Sequence, residues 1–280
     1  MITRGVPATL DVIDEGLEFT RRCGNELMEF SLRTQLVESL RRGGEWDRAL
    51  AEAGDLAPIL EDSEDAYNLV YARTQQALIL ASRGEPTQAA PLLAWLAQQG
   101  RESEAIQLRG GALLAAAAVH LRLGVSEAAL ALLNECVPTM GAMGSDGEEL
   151  FPEALRLALA CDNAPLAAQM VATIESFAAR ESLPLHRHVS ATVGALLAEA
   201  RSEHEAALAG LASAAAGWCE FGMPYEEAQA LLGQGRCLVA LGRAPEATAP
   251  LAAAREIFLR LEAKPALAET EELMQQVASA

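Results

Sequence analysis

The phrase Gly44-Glu-Trp-Asp-Arg-Ala49 decides the fold, because copies of it return along most of the chain. Each clear copy places a small residue five positions after a glycine. The clear copies are Gly84-Glu-Pro-Thr-Gln-Ala89, Gly124-Val-Ser-Glu-Ala-Ala129 and Gly242-Arg-Ala-Pro-Glu-Ala247, and the weaker ones are Asp162-Asn-Ala-Pro-Leu-Ala167 and Arg201-Ser-Glu-His-Glu-Ala206. The final alanines of the six copies are 40, 40, 38, 39 and 41 residues apart, so the period is about 40. A fixed period of this length is typical of repeat architectures.

Each repeat predicts a helical hairpin. Glycine readily adopts the left-handed conformation that ends a helix. Pro86 and Pro245 stand near the start of the following helix, where a missing N–H costs nothing. The small residue lets the second helix lie close against the first. Because one hairpin cannot bury its apolar face alone, neighbouring hairpins must stack.

The composition supports an all-α protein. Apolar residues make up 51% of the chain and aromatic residues only 4%, because alanine and leucine, both strong helix formers, dominate. We predict a right-handed superhelical array of antiparallel helix pairs with about 14 helices in one domain over 1–280. A lone helix over 7–22, six pairs within 25–262, and a capping helix over 266–278 are expected. The pairs are predicted at 25–42 and 46–60, 65–83 and 86–99, 103–123 and 126–137, 148–160 and 164–180, 184–200 and 203–221, and 224–241 and 244–262. The glycine-rich stretch 138–148 is expected to be a loop inside the array.

The repeated phrase resembles the Gly-Asp-Tyr-Asp-Glu-Ala turn of tetratricopeptide repeats, with Trp46 at the aromatic position and Ala49 at the packing position. The stretches 65–73, 224–236, 241–247 and 254–261 are similar to the C-terminal arrays of large bacterial signalling ATPases, which include maltose-activator-like transcriptional regulators and ATPase-linked nucleotide cyclases. This resemblance implies a bacterial sensor region for signalling and transcriptional regulation. The ATPase, cyclase and DNA-binding parts of those proteins are absent, so it implies no catalytic residue and no cofactor.

The net charge and the cysteines indicate which partners and which cellular location to expect. The net charge is -18 and Lys264 is the only lysine, so the chain offers no basic surface for nucleic acid. The five cysteines are scattered, which indicates free thiols in a reducing compartment. No apolar stretch approaches the roughly 20 residues that a membrane helix needs. We therefore expect a cytoplasmic protein without membrane contact.

In the arrays that the chain resembles, the first helix of each pair lines the concave face. Positions 18, 15, 11 and 8 residues before each repeat alanine should then face a groove. The candidate groove residues are Thr34, Glu38, Tyr71, Thr74, Leu114, Arg156, His188, Gln229 and Arg236. The middle of this groove is small and apolar, which suits a helix or an apolar ligand better than an acidic tail. The alternative, that these small residues simply pack, is favoured because small residues usually serve close helix approach.

The histidines, two cysteines and one acidic stretch, which are candidates for metal binding or catalysis, are interpreted as structural residues. His186 and His188 face apart on a helix, so we interpret them as surface or groove residues rather than metal ligands. Cys219 and Cys237 are expected to be buried thiols, since free cysteine is among the most buried residue types. The acidic stretch 144–149 is expected to be a helix N-terminus, because its spacing does not fit a calcium loop.

The sequence thus predicts a non-catalytic protein–protein interaction or sensor module that binds a partner helix or peptide in its groove. A sensor of a small-molecule inducer, apolar or sugar-like, is the alternative. The sequence leaves open whether the chain forms a homodimer.

Overall fold

The computed structural model describes residues 5–177 and 183–279, and within these ranges the chain forms fourteen α-helices and no strand. The helices are α1 Val6–Cys23, α2 Glu26–Arg42, α3 Trp46–Asp62, α4 Ala66–Ser82, α5 Pro86–Glu102, α6 Ile106–Arg122, α7 Ser126–Met143, α8 Phe151–Ala160, α9 Ala164–Glu175, α10 Pro184–Ala200, α11 His204–Phe221, α12 Pro224–Ala240, α13 Ala244–Leu261 and α14 Lys264–Ser279. We call α2, α4, α6, α8, α10 and α12 the first helices, and α3, α5, α7, α9, α11 and α13 the second helices. The prediction of an all-α helical repeat is confirmed.

The turn inside each pair has the predicted backbone. Gly44, Gly84, Gly124 and Gly242 have φ values of 78°, 71°, 78° and 72°, in the left-handed region that glycine adopts without a steric penalty. In the two weaker copies a polar residue takes this conformation instead, with φ of 53° at Asp162 and 63° at Ser202. The same left-handed turn therefore recurs in all six pairs, with glycine in four of them and a polar residue in two.

The fifth repeat corrects the predicted register. Its left-handed residue is Ser202, whereas the comparison of the six repeat phrases had placed Arg201 at this position. The buried small residue is accordingly Ala207, which is 0% exposed, whereas Ala206 is exposed. The equivalent alanines of the other pairs are all 0% exposed, and they are Ala49, Ala89, Ala129, Ala167 and Ala247. The prediction of Ala206 as the packing residue was wrong by one position.

The predicted loop over 138–148 is also corrected. Helix α7 continues through Pro138 to Met143, and a 3₁₀ helix over Gly144–Leu150 leads directly into α8. The other predicted helix ends lie within three residues of the observed ones, except that α9 ends at Glu175. Its predicted end at 180 lies outside the described residues.

The chain divides into two compact units. One contains the described residues to 81 and residues 85–139, and the other contains residues 82–84 and the described residues from 140 onward. In the second unit successive first helices contact one another, as α8 does with α10 and α10 with α12, and α14 packs on α12 and α13. The expectations of one domain over 1–280 and of a right-handed superhelix stay predictions.

An aromatic cluster joins the two helices of the fifth pair. The His188 ring centroid lies 5.4 Å from that of Trp218 and 5.5 Å from that of Phe221. Trp218 Nε1 donates to Thr192 Oγ1 at 2.8 Å, which satisfies the polar atom of this buried ring. A methyl group at Gly217 would overlap the His188 ring, so α10 and α11 approach closely there because residue 217 has no side chain.

We predict that Gly217→Ala lowers the thermal unfolding midpoint. The overlap with a ring held on two sides should cost about 1–3 kcal/mol, which exceeds the gain in helix propensity of about 1 kcal/mol. Gly194→Ala on α10 is the matched control, because a methyl group there meets nothing within 4 Å. Gly194→Ala should raise the midpoint, and a rise in both variants would contradict this account of the close approach.

Candidate partner-binding face

In the first unit, polar side chains near the C-terminal end of α2 contact α4. Glu38 accepts a hydrogen bond from Tyr71 Oη at 2.8 Å and one from Arg42 at 2.7 Å. Arg41 Nε donates to Gln75 Oε1, so a second contact joins the same two helices. We call Glu38, Arg41, Tyr71 and Gln75 the α2–α4 cluster. Two of the predicted groove residues, Glu38 and Tyr71, are therefore brought together as a polar link between successive first helices.

Arg156 organises a cluster in the second unit. Its guanidinium on α8 donates two hydrogen bonds, at 2.9 Å and 2.7 Å, to the two carboxylate oxygens of Glu226 on α12. It also donates to Glu153 Oε2 at 3.0 Å and 3.1 Å, and its Cζ lies 5.9 Å from the Tyr225 ring. Such a two-pronged pair is geometrically specific as well as strong. We call Arg156, Glu153 and Glu226 the Arg156 cluster.

Arg236 on α12 joins three helices in the same unit. It donates to both carboxylate oxygens of Glu199 on α10, at 2.5 Å and 3.0 Å, and to Glu269 on α14 at 2.9 Å. We call these residues the Arg236 cluster. Glu199 lies eight residues before Ala207, so in the corrected register it occupies a predicted groove position. The prediction from sequence missed Glu199 because it placed the groove positions of the fifth repeat one residue too early.

Each arginine cluster carries a net negative charge. Burial lowers the pKa of Arg156, but the charges of Glu226 and Glu153 outweigh this effect and the pKa is raised. The pKa of Arg236 is likewise raised, since hydrogen bonds and charges from Glu199 and Glu269 exceed the effect of burial. Each guanidinium thus stays charged beside two carboxylates. A phosphate or carboxylate ligand would have to displace a glutamate to reach either arginine.

Three predicted groove residues lie in the core of the first unit. Thr34, Thr74 and Leu114 are 2%, 4% and 1% exposed. Thr34 Oγ1 donates to the Phe30 carbonyl of its own helix at 2.9 Å. Around Leu114 every residue from Ala112 to Val119 is buried, so α6 is enclosed along its middle. Here the packing interpretation, rather than an open apolar channel, describes the small residues.

The structure places His186 and His188 differently from the prediction of surface or groove residues. His186 is not a surface or groove residue, because its side chain is 3% exposed and its Nδ1 lies 3.1 Å from Oε2 of Glu148, which is also buried. Glu148 belongs to the 3₁₀ segment, so the acidic stretch supplies a partner for a buried ring as well as leading into a helix. His188 packs on α11, and its pKa is lowered by burial and by Arg187, which favours the neutral ring. Gln229 is partly exposed on α12.

The exposed thiol is a further correction. Cys219 is exposed, whereas Cys136 and Cys237 are buried and burial raises the pKa of their thiols to about 12 and about 11. The pKa of Cys219 is raised mainly by the charge of Glu227, with smaller contributions from burial, a hydrogen bond to Glu227 and the charge of Glu220. The thiolate form, which is the nucleophile, is therefore disfavoured at Cys219.

We expect the Arg156–Glu226 contact to be strongly coupled. Arg156→Met leaves two carboxylates facing each other, and Glu226→Gln weakens the two-pronged pair between α8 and α12 and leaves the guanidinium with Glu153 as its one charged partner, so each should lower the free energy of unfolding by about 2–4 kcal/mol. The double variant should lose about 1–3 kcal/mol less than the two single losses combined. Denaturant titrations measure all three. Arg101→Met is the control, because its pair with Glu135 is exposed and should contribute little. Additive losses would contradict a coupled pair.

Cys219 should become more reactive when Glu227 loses its charge. Because Glu227 raises the thiol pKa, Glu227→Gln lowers it and increases the thiolate fraction at pH 8. Iodoacetamide labelling of Cys219, followed by mass spectrometry, should be about threefold faster in this variant. Glu256→Gln on α13 serves as a control with no expected change. Equal labelling rates in all three proteins would refute the electrostatic account.

Three further findings concern metal binding, membrane insertion and similarity to known proteins. In the described ranges no three His, Cys, Asp or Glu side chains come together as a metal site. None of the fourteen described helices combines the length and the apolar character of a bilayer span. No protein-family model matches the chain, and a comparison with curated proteins also finds no match.

Proposed function

We propose that this protein is a non-catalytic interaction module of a bacterial regulatory system, which holds a partner helix or peptide against its first helices. The observation that carries the proposal is the pairing of each central arginine of the second unit with two glutamates. These pairs link α8 with α12 and α10 with α12 and α14, so the first helices present a fixed, preorganised arrangement. Preorganised surfaces bind with a smaller loss of conformational entropy.

The charge of these clusters defines the kind of partner. Two carboxylates around one guanidinium leave one excess negative charge in the Arg156 cluster and one in the Arg236 cluster. The whole chain, at -18, adds to this field. A partner helix with basic side chains beside its apolar ones is complementary to such a surface, whereas nucleic acid and acidic tails are repelled. The proposed partner is therefore a basic amphipathic helix or peptide.

The remaining parts of the proposal concern the setting. All five cysteines are free thiols, which supports a reducing, cytoplasmic location. The similarity of the repeat phrases to bacterial signalling arrays supports a role in signalling or transcriptional control. A module of this kind needs no cofactor, and its activity consists of bringing a partner to the rest of a regulatory system.

Site-specific photo-crosslinking tests this proposal. A benzophenone amino acid placed at Tyr71, in the α2–α4 cluster, or at Gln229 on α12 should capture one discrete partner in cells. The same amino acid at Gln88, an exposed residue of the second helix α5, is the matched control and should capture none. In a cell lysate of controlled ionic strength, the crosslink at Gln229 should weaken with increasing salt, since the attraction is electrostatic. Capture at Gln88 alone, or at none of the three positions, would contradict the proposal.

A further inference from the structure

Helix α1 carries an apolar stripe that is open to solvent. Val12 and Phe19 are 57% and 59% exposed, Cys23 is exposed, and Gly16 lies between them. Spacings of four, three and four residues place all four on one side of the helix. We call Val12, Gly16, Phe19 and Cys23 the α1 stripe. The apolar residues Ile13 and Leu17 serve the core on another face of α1, so the stripe is additional to the residues that α1 needs for folding.

The apolar surface continues beyond α1. Leu27 and Met28, in the first turn of α2, are 74% and 51% exposed. A methyl group at Gly16 would meet the Leu32 side chain, one turn further along α2, so the stripe lies beside that helix. Clustered exposed apolar side chains of this kind mark an interaction surface more often than single exposed ones do.

The repeat shows what the stripe positions contact in a complete pair. Helices α1 and α3 begin 40 residues apart, at Val6 and Trp46, so Val12 corresponds to Glu52. Glu52 pairs with Arg33 on α2 at 2.5 Å, which is a contact to the first helix of its own pair.

In helix α11, two residues equivalent to stripe residues also contact the first helix of their pair. It begins at His204, so Val12 corresponds to Gly210 and Phe19 to Gly217. Gly210 lies against Ala195, and Gly217 lies against His188, both on α10, the first helix of that pair. On α3 the residue equivalent to Phe19 is Ile59, which is 38% exposed. The α1 stripe thus includes positions at which α3 and α11 contact the first helix of their own pair, and in α1 these positions are exposed.

We propose that the α1 stripe binds the α1 stripe of a second copy of this chain, with the two helices antiparallel about a two-fold axis. The flanking charges favour this occupant. Glu15 and Arg22 are both exposed and lie seven residues apart beside the stripe. In an antiparallel pair each Glu15 faces Arg22 of the other copy, and the contact occurs twice, as a two-fold interface requires. A parallel pair would separate Glu15 from Arg22 of the other copy by about 10 Å along the helix axis.

This interface goes beyond the proposed function and is independent of it. It uses α1 and the start of α2, and none of its residues belongs to the α2–α4 cluster or to the arginine clusters. Loss of the dimer would leave photo-crosslinking from Tyr71 and Gln229 intact, and failure of that crosslinking would leave the dimer intact. The two proposals can therefore fail separately.

A charge-swap experiment tests the pairing directly. Sedimentation velocity over about 1–100 µM, a range that suits a small interface, should show the wild-type chain shifting to a dimer. Glu15→Arg alone and Arg22→Glu alone each replace two attractions by two repulsions, so each should raise the dissociation constant about tenfold. An equal mixture of the two single variants should form a heterodimer, because every facing pair is then complementary. The double variant E15R/R22E should dimerise like the wild type.

A second variant tests the apolar stripe. Phe19→Asp should leave the protein monomeric throughout this range, with an unchanged helical circular dichroism spectrum, because residue 19 is exposed in the single chain. Leu259→Asp is the control, since Leu259 is 45% exposed on α13 and lies outside the stripe. A monomeric wild type, or a dimer that survives Phe19→Asp and both single charge changes, would overturn the proposal.

Discussion

The close approach of each second helix to its first helix is the constraint on which the rest of the structure depends. In each of the six second helices the alanine after the turn has no exposed surface. A larger side chain there would separate the two helices and open voids along the whole pair, because interiors are packed to crystal-like density. The glycine or polar left-handed residue before each alanine sets where this contact falls along the chain.

Once that contact is fixed, the polar residues of the first helices stand at defined places. Glu38, Arg156 and Arg236 lie eleven residues before their repeat alanines, and each of them contacts another first helix. Buried or half-buried charges are costly unless their geometry is good, so such pairs add specificity more than stability. A guanidinium held by two carboxylates adds a directional contact between helices, which Ala–Leu packing lacks. The arginine clusters therefore define how the helices of the second unit are aligned.

The same geometry explains why equivalent positions have opposite exposure. Gly210 and Gly217 are covered by α10, while Val12 and Phe19 at the corresponding places on α1 face solvent. Within complete pairs these positions carry residues of different sizes, from Gly210 and Glu52 to Met170 and Ile59. On α1 they are large and apolar, which is unfavourable for a permanently exposed surface and favourable for an interface.

The sequence by itself determined the secondary structure and the repeat, because both depend on interactions within about 40 residues: helix propensity, the left-handed turn and the small residue after it. It also identified Glu38, Tyr71, Arg156 and Arg236 as polar residues in a repeated position. Only the tertiary structure decided what those residues do, since the partners that join them to other helices lie 33 to 70 residues away and belong to other repeats. The burial of Thr34, Thr74 and Leu114, the pairing of His186 with Glu148 and the exposure of Cys219 were decided in the same way. In the fifth repeat a one-residue error in register put the predicted groove position at Ala198 instead of its neighbour Glu199, and neighbouring residues of a helix point about 100° apart.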